Sequence, residues 1–383
     1  MVDGSQITTD GFWMMTMKTP LCEQLGIELP IIQAPMAGGV TTPELVAAVS
    51  AAGALGSFGF AYTQPEVMQR DAEQVRSRTR APFCINFFVA ENSGAIPAPA
   101  QTAAIEAIAP YYDELGLKHP QPVRPPFAPD QAAQLDAVKA IRPAVFTFHL
   151  GHVAPERIAA MRSQGISVGG SATCVAEARH LESLGVDFIV AQGAEAGGHR
   201  GTYLRDPYAA MTGTLALVRL IVRAVSIPVV AAGGIMDGAG IAAVLALGAQ
   251  AAQLGTAFVP CAESGASALH KSAILAADED DTLISQKFSG KPARALANRY
   301  AREMNDRDAP HLAFPAQNAL TGPLRTAALK AGRPEFLSMW AGQAAALSRD
   351  LSAAKLIDTL RIETLQALER LSGLTRSAEA QRD

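Results

Sequence analysis

Phe188-Ile189-Val190-Ala191-Gln192-Gly193-Ala194-Glu195-Ala196-Gly197-Gly198-His199-Arg200-Gly201 is the stretch that decides how this chain is read. Its first four residues make a short apolar run suited to a strand buried on both faces, and the loop after it packs four glycines around one histidine. A strand that ends this way delivers an imidazole to a ligand while backbone N–H groups approach the same ligand closely. Taken alone, the loop also fits a Gly-rich turn carrying an incidental surface histidine. The rest of the chain argues against that plainer reading.

Seven further apolar runs flank this one, at 31–34, 55–60, 83–89, 145–150, 167–170, 229–232 and 251–258. Helical patterns fall between them at 43–52, 65–78, 153–163, 174–184, 215–225 and 238–247, with Pro43 and Pro65 in the first turn, where a missing N–H costs nothing. Strands alternating with helices pair in parallel through right-handed crossovers, and eight such units close a barrel. The fold class is therefore α/β, a (β/α)8 TIM barrel. Two stretches break the rhythm and read as insertions after strands 3 and 8, at about 91–143 and 260–350. The expected layout is an N-terminal extension at 1–18 that need not be ordered, a barrel at 19–259, a lid or substrate-covering segment at 260–350, and a C-terminal helix and tail at 351–383.

The 383 residues are 49% hydrophobic and 18% charged, with net charge −4 and a pI near 6.0. That balance leaves no basic footprint for nucleic acid or an anionic membrane and favours small-molecule chemistry. Cys22, Cys84, Cys174 and Cys261 are scattered singly, without a CxxC pair, and no signal peptide or long apolar span is visible. A reduced, cytoplasmic enzyme is expected, as a monomer or homodimer. His149 and His152 stand three apart without a neighbouring carboxylate, so no metal site is expected, and no GxSxG elbow supports nucleophilic hydrolysis.

Barrels of this kind commonly hold phosphate in the loops after strands seven and eight. Ala231-Ala232-Gly233-Gly234-Ile235 and Gln253-Leu254-Gly255-Thr256 supply both loops, although tight βα turns need glycine as well. In Gln33-Ala34-Pro35-Met36-Ala37-Gly38-Gly39, Pro35 fixes φ and small neighbours let a flat ring lie against the main chain. Asn86 and Gln192 are amides on otherwise apolar strands; buried amides need partners, which a heteroaromatic edge or a neighbouring loop can offer.

The segments IIQAPMAGG (31–39), INFF (85–88), FHLG (148–151), QGAEAGGHRG (192–201), AAGGI (231–235), QLGTAF (253–258) and SGKPAR (289–294) resemble the nitronate monooxygenase family, formerly called 2-nitropropane dioxygenase. The resemblance spans roughly residues 20–300, and its most specific part is the histidine loop. It implies an FMN-dependent barrel that oxidises alkyl nitronates of the propionate 3-nitronate type with molecular oxygen, via a flavin semiquinone, to a carbonyl compound and nitrite, without a nicotinamide. It further implies FMN contacts from Ala34, Pro35 and Met36 at the ring, Asn86 and Gln192 at its polar edges, and Gly197, Gly234, Gln253, Leu254, Gly255 and Thr256 toward the phosphate. It assigns catalysis to His199 and places His149 near the substrate; for His149 a core histidine satisfied by backbone is the alternative. Lys291, Arg294 and Tyr300, in or just after SGKPAR, are candidates for an anionic substrate, with a solvated basic surface as the alternative. The rival expectations are an FMN-dependent enoyl-thioester reductase or NAD(P)H:quinone reductase of the same superfamily, and, less favoured, a non-redox barrel that binds a phosphate ligand.

Overall fold

A computed structural model describes residues 17–89 and 96–379. Most of the expected N-terminal extension, residues 1–16, lies outside the described residues. The apolar runs become β1 (Ile31–Gln33), β2 (Gly56–Gly59), β3 (Phe83–Phe88), β4 (Val145–His149), β5 (Ser167–Ala172) and β6 (Phe188–Gln192); a two-residue strand outside the barrel, β7 (Gly198–His199), precedes β8 (Val229–Ala232) and β9 (Ala251–Leu254). The eight barrel strands are all parallel, in the order β1-β9-β8-β6-β5-β4-β3-β2. The ring closes where Leu55 N donates to Ile31 O at 3.0 Å and Gln33 N donates to Leu55 O at 2.9 Å.

Strand parity sorts the side chains. Phe83, Ile85 and Phe87 of β3, Phe146 and Phe148 of β4, and Ile189 and Ala191 of β6 face the outer helices, so they form the main core. The alternate residues Cys84, Val145, Phe188 and Val190 point inward onto Leu21, Cys22, Leu25 and Ile27. Those four belong to α1 (Pro20–Leu25) and the residues after it, which plug the N-terminal end of the barrel. Thr19 caps α1, its hydroxyl accepting from Cys22 N, and Leu21 N donates to Gln250 Oε1 at 2.9 Å. The inward polar side chains of Asn86, Thr147, His149, Ser171 and Gln192 lie toward the opposite, C-terminal end.

The outer layer holds α2 (Pro43–Ala51), α3 (Pro65–Arg78), α5 (Gln131–Ile141), α6 (Pro155–Arg162), α7 (Val175–Ser183), α8 (Thr214–Val222), α9 (Gly238–Ala246) and α13 (Ala353–Glu379). Two expectations about boundaries change here. The stretch 91–143 is not wholly inserted, because α5 packs beside α3 as the helix that follows strand β3. The terminal helix is not an appendage either: α13 packs on α9 and α2 and is the eighth helix of the ring. It crosses α9 so closely that a Cβ on Gly238 would lie 2.2 Å from Thr364 N.

Both inserted stretches therefore leave the barrel between a strand and its own helix, at the C-terminal face. They meet there and bury a second core from α4 (Ala98–Glu114), α11 (Arg299–Asp306) and α12 (Ala316–Lys330), including Ile108, Tyr111, Tyr112, Tyr300, Met304, Leu320 and Leu324. Between α10 (Ala268–Leu275) and α11, the hairpin β10 (Thr282–Ser285) and β11 (Ala293–Leu296) pairs antiparallel with β7. No helix among the described residues is long and apolar enough to cross a membrane.

A buried carboxylate ties the rim together. Glu177, fully buried in α7, accepts from Thr173 N, Thr173 Oγ1 and Thr202 Oγ1 at 2.7 Å each and from Tyr203 N at 2.8 Å. Burial alone would raise its pKa, but these hydrogen bonds outweigh burial and hold it below the usual carboxylate value. Its stabilising effect is therefore present above the unfolded pKa and disappears as pH falls through the depressed folded one. Glu177→Gln, which turns an amide NH2 toward buried donors, is expected to cost about 2 kcal/mol or more at pH 7. A urea midpoint equal to the wild type at pH 7 would show that the carboxylate contributes nothing.

Candidate active site

A cavity of about 530 Å³ opens at the C-terminal ends of the strands, under the inserted cap. That is the size and position at which barrels hold cofactors and substrates. Its floor is built by inward residues: Ala34, Pro35 and Met36 after β1, Asn86 and Phe88 of β3, Thr147 and His149 of β4, Ser171 of β5, and Val190 and Gln192 of β6. Asn86 Nδ2 donates to Thr147 Oγ1 at 2.9 Å, and among the described residues no donor reaches its carbonyl oxygen. Main chain replaces side chains beside β1: a Cβ on Gly59 would lie 2.6 Å from Ala37 N and from Met36 C, so the Met36–Ala37 backbone sits close against β2.

The loop after β6 is held from several sides. Glu195 caps α8, accepting from Thr214 N at 2.9 Å and Thr214 Oγ1 at 2.8 Å. Arg200 turns back to donate to Ala210 O and Gln192 O. Gln192 accepts from Gly201 N at 2.7 Å through Oε1 and donates to His199 O at 2.9 Å through Nε2, closing the loop on itself. His199 is consequently not on a free loop: it pairs with Ala293 of β11, and Arg200 N donates to Pro292 O at 2.8 Å. The cap hairpin and the barrel loop together fix the imidazole.

His199 is enclosed by the rings of Phe88, Phe314 and Trp340, with centroids 5.4, 5.4 and 5.3 Å away. Its Nε2 lies 2.9 Å from Ser289 Oγ, and Nδ1 has no hydrogen-bond partner among the described residues. His149 Nε2 donates to His199 O at 3.1 Å, because a carbonyl can only accept, so Nδ1 of His149 carries the lone pair at neutral pH. Burial, reinforced by the cations nearby, pushes His199 down to about 3 and His149 to about 4; Lys291 acts on both, Arg325 on the first and Arg200 on the second. Both rings are neutral at pH 7. Among the described residues no carboxylate lines the cavity, whereas Arg325 does, so its field is positive.

On the opposite wall, Gly233 and Gly234 take φ of 121° and 70°, left-handed values that favour glycine. Among the described residues the N–H groups of Gly234 and Ile235 find no protein acceptor. Thr256 Oγ1 accepts from Gly342 N at 2.8 Å and keeps its own proton to donate. Such a nest of free N–H groups and a hydroxyl suits a phosphate.

Ala34, Pro35, Met36, Asn86, His149, Gln192, Gly197, His199, Gly234, Gln253, Gly255 and Thr256 all line this one cavity. Leu254 does not; it has the outward parity of β9 and packs in the helix-facing core. Tyr300 is also displaced from its expected role, being wholly buried in the cap core with its hydroxyl donating to Lys287 O at 3.1 Å. Lys291 stays behind the cavity wall, its ammonium donating to Thr202 O at 3.2 Å, and Arg294 reaches Ala194 O instead of a ligand. Lys291 thus contributes charge without contact. Tyr62, Ser171, His270, Asn318, Arg325, Ser338 and Trp340 line the cavity without having been singled out from the sequence. Six of the seven sit in helices or irregular segments, where no strand end or glycine pattern marks them.

The nitronate monooxygenase family profile matches residues 18–363. A nitronate monooxygenase of Paraburkholderia phytofirmans is 42% identical over 365 residues, covering 93% of this chain and 98% of the relative. One from Pseudomonas aeruginosa is 42% identical over 339 residues, covering 88% and 96%. Among solved structures, a nitroalkane oxidase of Streptomyces ansochromogenes superposes with a TM-score of 0.85 at 38% identity, covering 92% of this chain and all of its own. FabK of Thermotoga maritima gives 0.73 at 30% identity, covering 93% and 99%.

Proposed function

The chain belongs to the nitronate monooxygenase family and is an oxidoreductase, and from that premise we propose that it oxidises alkyl nitronates of the propionate 3-nitronate type with molecular oxygen, using FMN, to a carbonyl compound and nitrite. The observation that carries this reading is a cavity with a neutral imidazole on an aromatic wall, free N–H groups opposite, a positive field and no carboxylate lining it among the described residues. An anionic substrate and a phosphate-bearing cofactor both suit that field.

The cavity fits FMN by its donor set. Ala34, Pro35 and Met36 would carry the ring, Asn86 and Gln192 its polar edge, and Gly197, Gly234, Gln253, Gly255 and Thr256 the phosphate end. When bound, FMN supplies the electron acceptor and the centre that meets oxygen. The protein's own part is positioning and proton control. A nitronate is already deprotonated, so His199 need not act as a base toward it; a neutral ring donates one hydrogen bond to the nitro oxygens. Ser289 makes either ring form available, because its hydroxyl can donate to Nε2, or accept Nε2–H while donating to Lys291 O at 3.3 Å. With Nε2 protonated, Nδ1 can remove the α-proton of a neutral nitroalkane. Phe88, Phe314 and Trp340 keep bulk water from the ring, which strengthens these interactions.

Oxygen uptake by flavin-loaded protein on adding propionate 3-nitronate, without NADH or NADPH, is the test. Rapid uptake with nitrite release is expected. Flavin that is bleached only by a nicotinamide under anaerobic conditions would move the protein to the reductase branch; the lower TM-score of FabK against the nitroalkane oxidase weighs against that branch.

A further inference from the structure

The cap helix α12 leads outward from the catalytic imidazole. Phe314, just before its first turn, packs its ring with the centroid 5.4 Å from that of His199. Asn318, Gly322, Arg325, Thr326 and Leu329 line the cavity, and their spacing puts them on one face of the helix. Leu320, Leu324 and Ala328, on the other side, are buried in the cap core. Exposure rises along the cavity face: Asn318 and Gly322 are half-buried, Thr326 is exposed and Leu329 is 45% exposed. At a rise of about 1.5 Å per residue, Gly322 stands about 9 Å and Leu329 about 20 Å along the axis from Ala316. The helix is thus one wall of a passage that runs from His199 to solvent.

Gly322 is the gap in that wall. A Cβ placed on it would meet only Arg325 Nη2, at 4.0 Å, which is ordinary contact. Its φ is not among the positive ones, so neither a close approach nor a left-handed backbone calls for glycine there. Inside a helix glycine is less stable than alanine, and the position carries that cost where it faces the cavity. The bond from Arg325 Nη1 to Ser338 Oγ, at 3.2 Å, ties this part of α12 to the 337–339 segment, whose Leu337 and Met339 line the same cavity with apolar surface. Pro323 supplies the rival reason for the glycine, because a proline ring crowds a Cβ on the residue before it.

We propose that Gly322 is a specificity-determining residue: the space its missing side chain leaves on the α12 wall is a subsite for the distal carbons of an uncharged chain longer than propyl, which leads toward the mouth at Leu329. This rests on the nitronate reading above and adds chain length to it. Each methylene that leaves water there gains about fourfold in affinity, so a long-chain nitronate is preferred to a short one. A side chain at 322 occupies the space and removes the preference.

The experiment compares the full-length, flavin-loaded protein with Gly322→Ala and Gly322→Leu on ethyl nitronate and hexyl nitronate. In the wild type kcat/KM is expected to be higher for the hexyl compound. The hexyl-to-ethyl ratio is expected to fall about tenfold or more in Gly322→Leu, through KM, and less in Gly322→Ala, whose Cβ the wall accommodates. Both substitutions are repeated with Pro323→Ala, which removes the crowding and keeps the leucine variant testable if it folds poorly beside the proline. A Gly322→Leu ratio within about threefold of its own background overturns the proposal and leaves the glycine to Pro323; an equal loss on both substrates, a loss of bound flavin, or a wild type that prefers ethyl nitronate overturns it as well. A second measurement needs no turnover: 1-nitrohexane is expected to raise the Tm of the wild type and not of Gly322→Leu, while nitroethane treats both alike. If the wild type oxidises neither nitronate, the nitronate reading fails and this binding test still decides Gly322, since identical shifts with 1-nitrohexane, or none in the wild type, overturn the proposal.

Discussion

His199→Asn is expected to lower kcat/KM for a nitronate at least about tenfold, and for any neutral nitroalkane the enzyme accepts by about 100-fold or more. The two losses differ because the two substrates ask different things of the ring. A nitronate needs a hydrogen-bond donor and an apolar wall, part of which an asparagine amide reproduces. A neutral nitroalkane needs a proton acceptor, which an amide is not. Burial and the Lys291 and Arg325 charges hold the free imidazole near 3, so the wild-type kcat/KM profile should show no step from His199 between about pH 5 and 8. The enclosing rings of Phe88, Phe314 and Trp340 do not depend on the imidazole, so Tm and flavin content serve as controls. An unchanged rate on both substrates would remove His199 from the chemistry.

Gly197→Val should produce the largest structural effect at the site. A Cβ on Gly197 would lie 2.6 Å from both Ala341 C and Gly342 N, which are backbone atoms of the cap and cannot swing aside as a side chain can. Seating valine there displaces the 341–342 strap, and with it the hydrogen bond from Gly342 N to Thr256 Oγ1 and the bond from Gln343 N to Glu195 O at 2.8 Å. Overpacking of this kind costs about 1–3 kcal/mol, and the phosphate end of the cavity takes the distortion. Expected are a purified protein that loses most of its flavin on gel filtration, a lowered Tm, and a far-UV spectrum close to wild type, because the barrel strands are untouched. Full flavin retention would mean that the strap closes on the loop less tightly than described.

The barrel was legible because its strands are short, apolar and regularly spaced, and every one of the eight runs became a strand within a few residues of its expected bounds. Site residues at strand ends were legible for the same reason: Asn86, His149, Gln192 and Gln253 share inward parity, and a polar side chain on an apolar strand stands out. Leu254 shows the limit of that reading, since loop membership placed it with its neighbours while parity turns it outward. Tyr300 failed differently, because a motif that runs past its functional part carries no mark of where the cavity wall stops. Arg325, Tyr62 and Trp340 were invisible. Arg325 and Trp340 come from the second inserted segment, whose residues meet the barrel only after folding, and Tyr62 from the loop between β2 and α3; nothing in local periodicity reports such long-range contacts.

The sequence by itself therefore determined the strand and helix alternation, the glycine-bearing loops after the sixth, seventh and eighth barrel strands and the histidine that one of them carries, since these are set by local propensity and backbone sterics. Tertiary structure alone decided that α13 closes the ring, that two distant insertions share one core over the cavity, and that His199 is neutral. Each of these depends on what is packed against a residue from far along the chain: burial, neighbouring charge and the path of a returning helix are properties of the folded volume and are absent from any window of sequence.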